Sequence, residues 1–137
     1  MEVTQKYINE LSYKIIGCAI NVHKELGSGL LESVYEACFI EELRQNEFTV
    51  TSQQRVPIIW RGKELSHELR LDIVVNNIIV VELKAVETMI PLFKAQLLSY
   101  LKLSQKAKGL LINFNCENIR SQMVSLVTAD FAKLPKE

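Results

Sequence analysis

Apolar residues recur at Val3, Tyr7, Leu11, Ile15, Ala19, Val22 and Leu26, the spacing of one helical face, and Gly27 supplies a stop. A second stripe, Leu31, Val34, Tyr35, Cys38, Phe39 and Leu43, predicts a helix from about Leu31 to Asn46. The pattern then turns β-like from Thr49 to Trp60, with Pro57 inside the run and Arg61-Gly62-Lys63 as a turn. Leu69 to Val75 and Ile78 to Leu83 read as two strands joined through Asn76-Asn77. Pro91 precedes a helix from Leu92 to about Leu103, Leu110 to Phe114 reads as a buried strand, and Met123 to Val127 as a last one. This order of elements predicts an α/β or α+β sheet with helices packed on it.

The register of the Asn76-Asn77 hairpin decides which side chains meet. A two-residue loop would pair Asp72 with Val81 and turn Glu82 to the opposite face. A three-residue loop, Asn76 to Ile78, pairs Val75 with Ile79 and hence Asp72 with Glu82. The longer loop needs a residue in the left-handed region, which Asn tolerates. It also collects Ile73, Val75, Ile79, Val81 and Leu83 on one apolar face and leaves Asp72, Glu82 and Lys84 on the other, among Val74 and Val80.

Composition narrows the setting. The chain has 137 residues, 48% of them apolar, which predicts one domain over residues 1–137 with one substantial core. There is no internal repeat, linker or low-complexity tract. The longest apolar runs, Ile15 to Val22 and Ile78 to Val81, are too short to span a bilayer. The start lacks the features of a secretory signal, and Cys18, Cys38 and Cys116 form no paired framework, so a reducing cytoplasm is the expected compartment. Formal net charge is zero, which argues against strong non-specific attraction to nucleic acid. Bases nevertheless outnumber acids from Lys84 to Arg120, an imbalance compatible with a phosphate-bearing substrate.

An opposed Asp72 and Glu82 would repel unless a cation sits between them. Oxygen ligands of this kind suit Mg²⁺ or Mn²⁺ with open positions for water and a phosphate oxygen. Lys84 could offset charge developing on a phosphorane or help orient the attacking water. On spacing alone, an ordinary ion-pair cluster accounts for the trio equally well, and both readings stay open at this point. His23 and His67 lie far from any metal-ligand spacing and read as packing or surface residues. Trp60 reads as packing at a sheet edge, with base stacking as a second role. Tyr35 reads as core, with its hydroxyl tip toward the site.

Asp72 followed by Glu82-x-Lys84 resembles the PD-(D/E)XK nuclease signature, with Leu71 where the signature has Pro. Gly29-Leu-Leu-Glu32-Ser-Val-Tyr35 is similar to the motif of the GxxExxY protein family. The likeness continues through Val56-Pro-Ile, Glu82-Leu-Lys-Ala-Val86, Gln96-Leu-Leu-Ser-Tyr-Leu-Lys102 and Gly109-Leu-Leu-Ile-Asn-Phe-Asn115. It implies an α-β-β-β-α-β core of the restriction-endonuclease type. Asp72 and Glu82 would bind the metal with the Leu83 carbonyl as a further ligand, Lys84 would be the catalytic lysine, and Glu32 the helical acid supporting the metal or its water. Gln96 and Tyr100 match a Q-x-x-x-Y pattern, and their i, i+4 spacing puts both on one helical face. Phe93 stands where relatives often carry His, and Arg120 alone remains of an expected basic run.

The expected function is Mg²⁺- or Mn²⁺-dependent hydrolysis of phosphodiesters, in DNA before RNA. The alternative is a catalytically silent module of the same fold that binds nucleic acid or a protein partner. No membrane partner is expected. A domain this small is open to pairing with a second copy, or with a larger protein, to hold a duplex.

Overall fold

Thr4 opens the first helix: its hydroxyl accepts the Tyr7 amide at 3.0 Å and so satisfies one of the N–H groups that a helix start leaves free. In the computed structural model, which describes residues 2–137, helix α1 runs Gln5–Leu26 and ends at Gly27, whose φ of 67° favours glycine. Helix α2 spans Glu32–Gln45. Three strands follow: β1 (Val50–Trp60), β2 (Lys63–Val75) and β3 (Ile79–Lys84). Helix α3 (Pro91–Ser104) then leads to β4 (Lys108–Asn113), β5 (Met123–Val127) and the short α4 (Ala129–Ala132). Pro91 occupies the first position of α3, where its missing N–H costs nothing.

The strands form one mixed sheet in the order β1-β2-β3-β4-β5. Neighbours are antiparallel except β3 and β4, which run parallel because α3 crosses over between them. This is the expected α+β architecture, a mixed sheet flanked by helices. The strand alternation divides the core in two. Ile73, Val75, Ile79, Val81 and Leu83 face α1 and α2 and pack with Ile8, Ile15, Phe39 and Phe114. Val74 and Val80 face the other way, onto Leu97 and Leu101 of α3. Gly109 lets β4 approach α3 closely: a Cβ there would lie 2.9 Å from Leu101 Cδ1.

The loop between β2 and β3 has three residues, since Val75 pairs with Ile79. Asn76 and Asn77 take φ of 52° and 57°, the left-handed conformation that asparagine accepts most readily among non-glycine residues. Asn76 is further held by Thr49, whose amide it accepts at 2.9 Å. Among the described residues, no helix is long and apolar enough to cross a membrane.

The thiols behave as small apolar groups. Burial, with a smaller contribution from the Glu42 charge, pushes the Cys18 thiol up to about 11. Burial raises Cys116 as well. His23 is a packing residue: its Nε2 meets the Cys116 carbonyl at 2.8 Å and ties α1 to the segment after β4.

Candidate active site

The β2–β3 ladder is regular from Val75↔Ile79 to Ile73↔Val81 and stops one pair before Asp72 and Glu82. There the two carboxylates take the place of ladder carbonyls. Glu82 Oε1 accepts the Asp72 amide at 3.4 Å, and Asp72 Oδ2 accepts the Leu83 amide at 3.3 Å. The reason lies partly on β1. Gln53, opposite Asp72 in the β1–β2 register, has a φ of 53° and leaves the ladder. Leu71 and Val74 both pack on the α3 side, so the alternation of β2 is broken between them, at Asp72. Asp72 is thereby turned toward β3.

Glu82 is only 9% exposed. Burial, then the Asp72 charge and a side-chain hydrogen bond to Asp72, push its carboxyl up to about 8, against smaller opposing pulls from the Asp72 amide and from Lys84. Two acids that face each other in a half-dry notch share a proton or accept a cation. Among the described residues the one ion pair within 4.0 Å is Arg55–Glu68, so no cationic side chain neutralises Asp72 and Glu82 at contact distance.

Lys84 lies two residues beyond Glu82 on the same strand, and its Nζ stands 4.4 Å from the ring centroid of Phe93 on α3. The aromatic face holds the ammonium without using its N–H donors. This support is the residue that the sequence reading missed, since Phe93 entered it only as a departure from an expected His.

Glu32 is the first residue of α2, exposed, at the helix end that favours anions. Its carboxyl is raised by burial first, then by the Asp72 charge, while Lys84 lowers it and Glu36 adds a small rise. It therefore shares an electrostatic environment with the trio. The Gly29-x-x-Glu32-x-x-Tyr35 spacing has a mechanical reason. Gly29 turns the chain with a φ of 99°, and the Tyr35 hydroxyl donates to the Gly27 carbonyl at 2.6 Å and accepts the Leu30 amide at 3.3 Å. The Tyr35 hydroxyl thus secures the α1–α2 loop instead of pointing into the site, because that loop holds unpaired backbone groups within its reach. The ring is fully buried and stacks on Phe114 at 4.9 Å.

Gln96 and Tyr100 share one face of α3, with Gln96 Nε2 donating to the Tyr100 hydroxyl at 3.1 Å. Gln96 is exposed, and Tyr100 packs half-buried against the α3-side core. Among the described residues they bond each other and not Asp72, Glu82 or Lys84. The Leu83 side chain is buried toward α1 and α2, so only its backbone reaches the notch.

Asn113 at the end of β4 fixes the chain just after Lys84. Its side chain, 0% exposed, accepts the Val86 and Asn115 amides, each at 3.1 Å, and donates to the Val86 carbonyl at 3.0 Å and to Gln122 Oε1 at 3.1 Å. Asn113→Leu fills similar space but leaves these backbone groups unmet. It should cost about 2–4 kcal/mol in urea unfolding.

Among the described residues, no group of three or more His, Cys, Asp or Glu side chains is assembled to hold a metal ion. What is assembled is a pair of carboxylates with opposed oxygens and no cationic partner. That donor set fits a hard divalent cation that keeps several waters, and it lacks the histidine and cysteine ligands that dominate zinc sites.

A family model described as the PD-(D/E)XK nuclease superfamily matches residues 9–126. Among curated proteins none matches the sequence. A solved structure, "Crystal structure of SSO0001", is similar in fold, with a TM-score of 0.55 and 23% identity over 90% of this chain. The match spans 64% of the length of that chain.

Proposed function

Because this chain belongs to the PD-(D/E)XK nuclease superfamily, we propose that it hydrolyses phosphodiesters of DNA with the help of Mg²⁺ or Mn²⁺. The observation that carries this reading is the opposed Asp72–Glu82 pair, which has no basic contact among the described residues, beside a lysine whose ammonium rests on an aromatic face. Asp72 and Glu82 would hold the cation, with the Leu83 carbonyl as a third oxygen. When bound, the cation supplies charge neutralisation at the scissile phosphate and a more acidic attacking water.

The chain's own groups do the rest. Lys84 offers its ammonium to the phosphate oxygens on which charge develops. Glu32, whose carboxyl is raised by burial and then by the Asp72 charge, would accept a proton from the attacking water and orient it. Gln96 and Tyr100 offer an amide and a hydroxyl on the α3 side of the notch, where they can position the substrate strand.

Residues 1–137 would act as one catalytic unit of the GxxExxY type, in the cytoplasm, with a second copy or a larger partner completing the grip on a duplex. The second reading, a silent module that binds nucleic acid or a protein, draws support from the zero net charge and from the absence, among the described residues, of a group of three His, Cys, Asp or Glu side chains.

Plasmid cleavage separates the two readings. The purified protein should nick DNA with Mg²⁺ or Mn²⁺ and stop on chelation. Asp72→Ala should reduce cleavage at least about a hundredfold. Equal residual cleavage by wild type and Asp72→Ala would overturn the enzyme reading.

A further inference from the structure

Strands β1 and β2 pair from Val50↔Val75 out to Trp60↔Lys63, but β3 covers β2 only at Ile73–Val75. Beyond Leu71 the hairpin is a two-stranded ribbon, with no third strand on either edge among the described residues. Ribbons of this kind bury little apolar surface and are marginal on their own. Val56 and Leu71 pack on the α3 side. Arg55 and Arg70, one position away on each strand, therefore project to the opposite face. They stand directly across from each other in the register.

Like charges in that position repel. Glu68 relieves only Arg55, at 3.9 Å between well-exposed side chains, which is worth little. At the tip, Arg61 lies 5.1 Å from the Trp60 ring centroid, and Trp60 and Ile59 are 60% and 53% exposed. Along the ribbon Arg55, Arg61, Lys63 and Arg70 outnumber Glu64 and Glu68, on a chain whose total charge is zero. The sheet-edge packing expected of Trp60 is thus not what it does, because the ribbon carries it past the core.

We infer that the β1–β2 ribbon is a clamp for duplex DNA, in which the cross-strand Arg55–Arg70 pair grips the phosphate backbone. Arg70 lies two residues from Asp72, roughly 7 Å along the strand. The Trp60–Lys63 tip extends about 20 Å further, or about six base pairs of rise. A two-stranded ribbon fits the major groove of B-DNA, whereas the deep, narrow groove of A-form RNA excludes it. The inference rests on the nuclease reading for the position of the cut, but not for binding.

Two measurements keep the ideas apart. Affinity for a labelled DNA duplex is followed against salt in metal-free buffer, and hydrolysis of bis(p-nitrophenyl) phosphate, a diester too small to touch the ribbon, is followed with Mn²⁺. Arg55→Gln/Arg70→Gln should weaken duplex binding about tenfold and reduce the slope of log K against log salt by about two, with small-diester hydrolysis unchanged. Arg61→Gln/Lys63→Gln should act in the same direction, while Lys14→Gln/Lys24→Gln on α1 should leave binding nearly as in wild type. If the small diester is not hydrolysed but the ribbon variants weaken duplex binding, the nuclease reading fails and the clamp stands. Wild-type affinity and slope in both ribbon variants would overturn the clamp. So would equal binding of an RNA duplex, or ribbon variants that change only self-association in sedimentation.

Discussion

Glu82→Gln is expected to lower metal-dependent cleavage about a thousandfold and, at the same time, to free the metal-free protein from a loss of stability as pH rises from about 4.5 to about 8. Both effects come from one buried carboxyl. Its folded-state value near 8 exceeds the ordinary 4.5, so the folded protein binds this proton more tightly than the unfolded chain does. That contribution to stability is fully present below about pH 4.5 and is lost as pH rises through about 8, at up to about 1.4 kcal/mol per pH unit. Glutamine has no such proton, so urea midpoints of Glu82→Gln should stay flat across the window in which wild type declines. A cation must displace the same proton. Wild-type metal affinity should therefore rise up to about tenfold per pH unit and level off near pH 8.

Lys84→Met should lower kcat by about 10²- to 10³-fold and leave the metal site intact. The side chain makes no ion pair among the described residues, and its ammonium rests on the Phe93 ring at 4.4 Å. Removing it takes a positive charge away from the notch, so cation affinity should hold or increase. The Lys84 charge also lowers the Glu82 value. Without it, the pH at which residual activity rises should shift upward. A mere structural role would change unfolding midpoints and not this profile. Steady-state kinetics on a DNA substrate across pH reads both.

The helices, the strands and the three-residue loop were legible because one rule served both chemistry and packing. Only that register places Ile73, Val75, Ile79, Val81 and Leu83 on one face, and the same alternation carries Glu82 and Lys84 to the other. The break at Asp72 was not legible. It depends on Gln53, an ordinary polar residue in sequence, taking a positive φ on the neighbouring strand. The same limit hid the Lys84–Phe93 contact and the Tyr35 bond to Gly27, which join residues by tertiary placement and not by spacing. Asn113 could have been suspected, since an asparagine inside an apolar strand must find partners somewhere. The projecting ribbon showed only as a long β-forming run, because nothing in its own sequence says where β3 stops.

The central claim is that Asp72 and Glu82 together make a divalent-cation site that Lys84 serves without belonging to it. Mn²⁺ titration at pH 8, read by the loss of free-ion electron paramagnetic resonance signal, tests it most directly. Wild type and Lys84→Met should each bind the ion, Mg²⁺ should compete, and Asp72→Asn and Glu82→Gln should each lose the binding. Unchanged Mn²⁺ binding in both carboxylate variants, or no binding by the wild-type protein, would contradict the account.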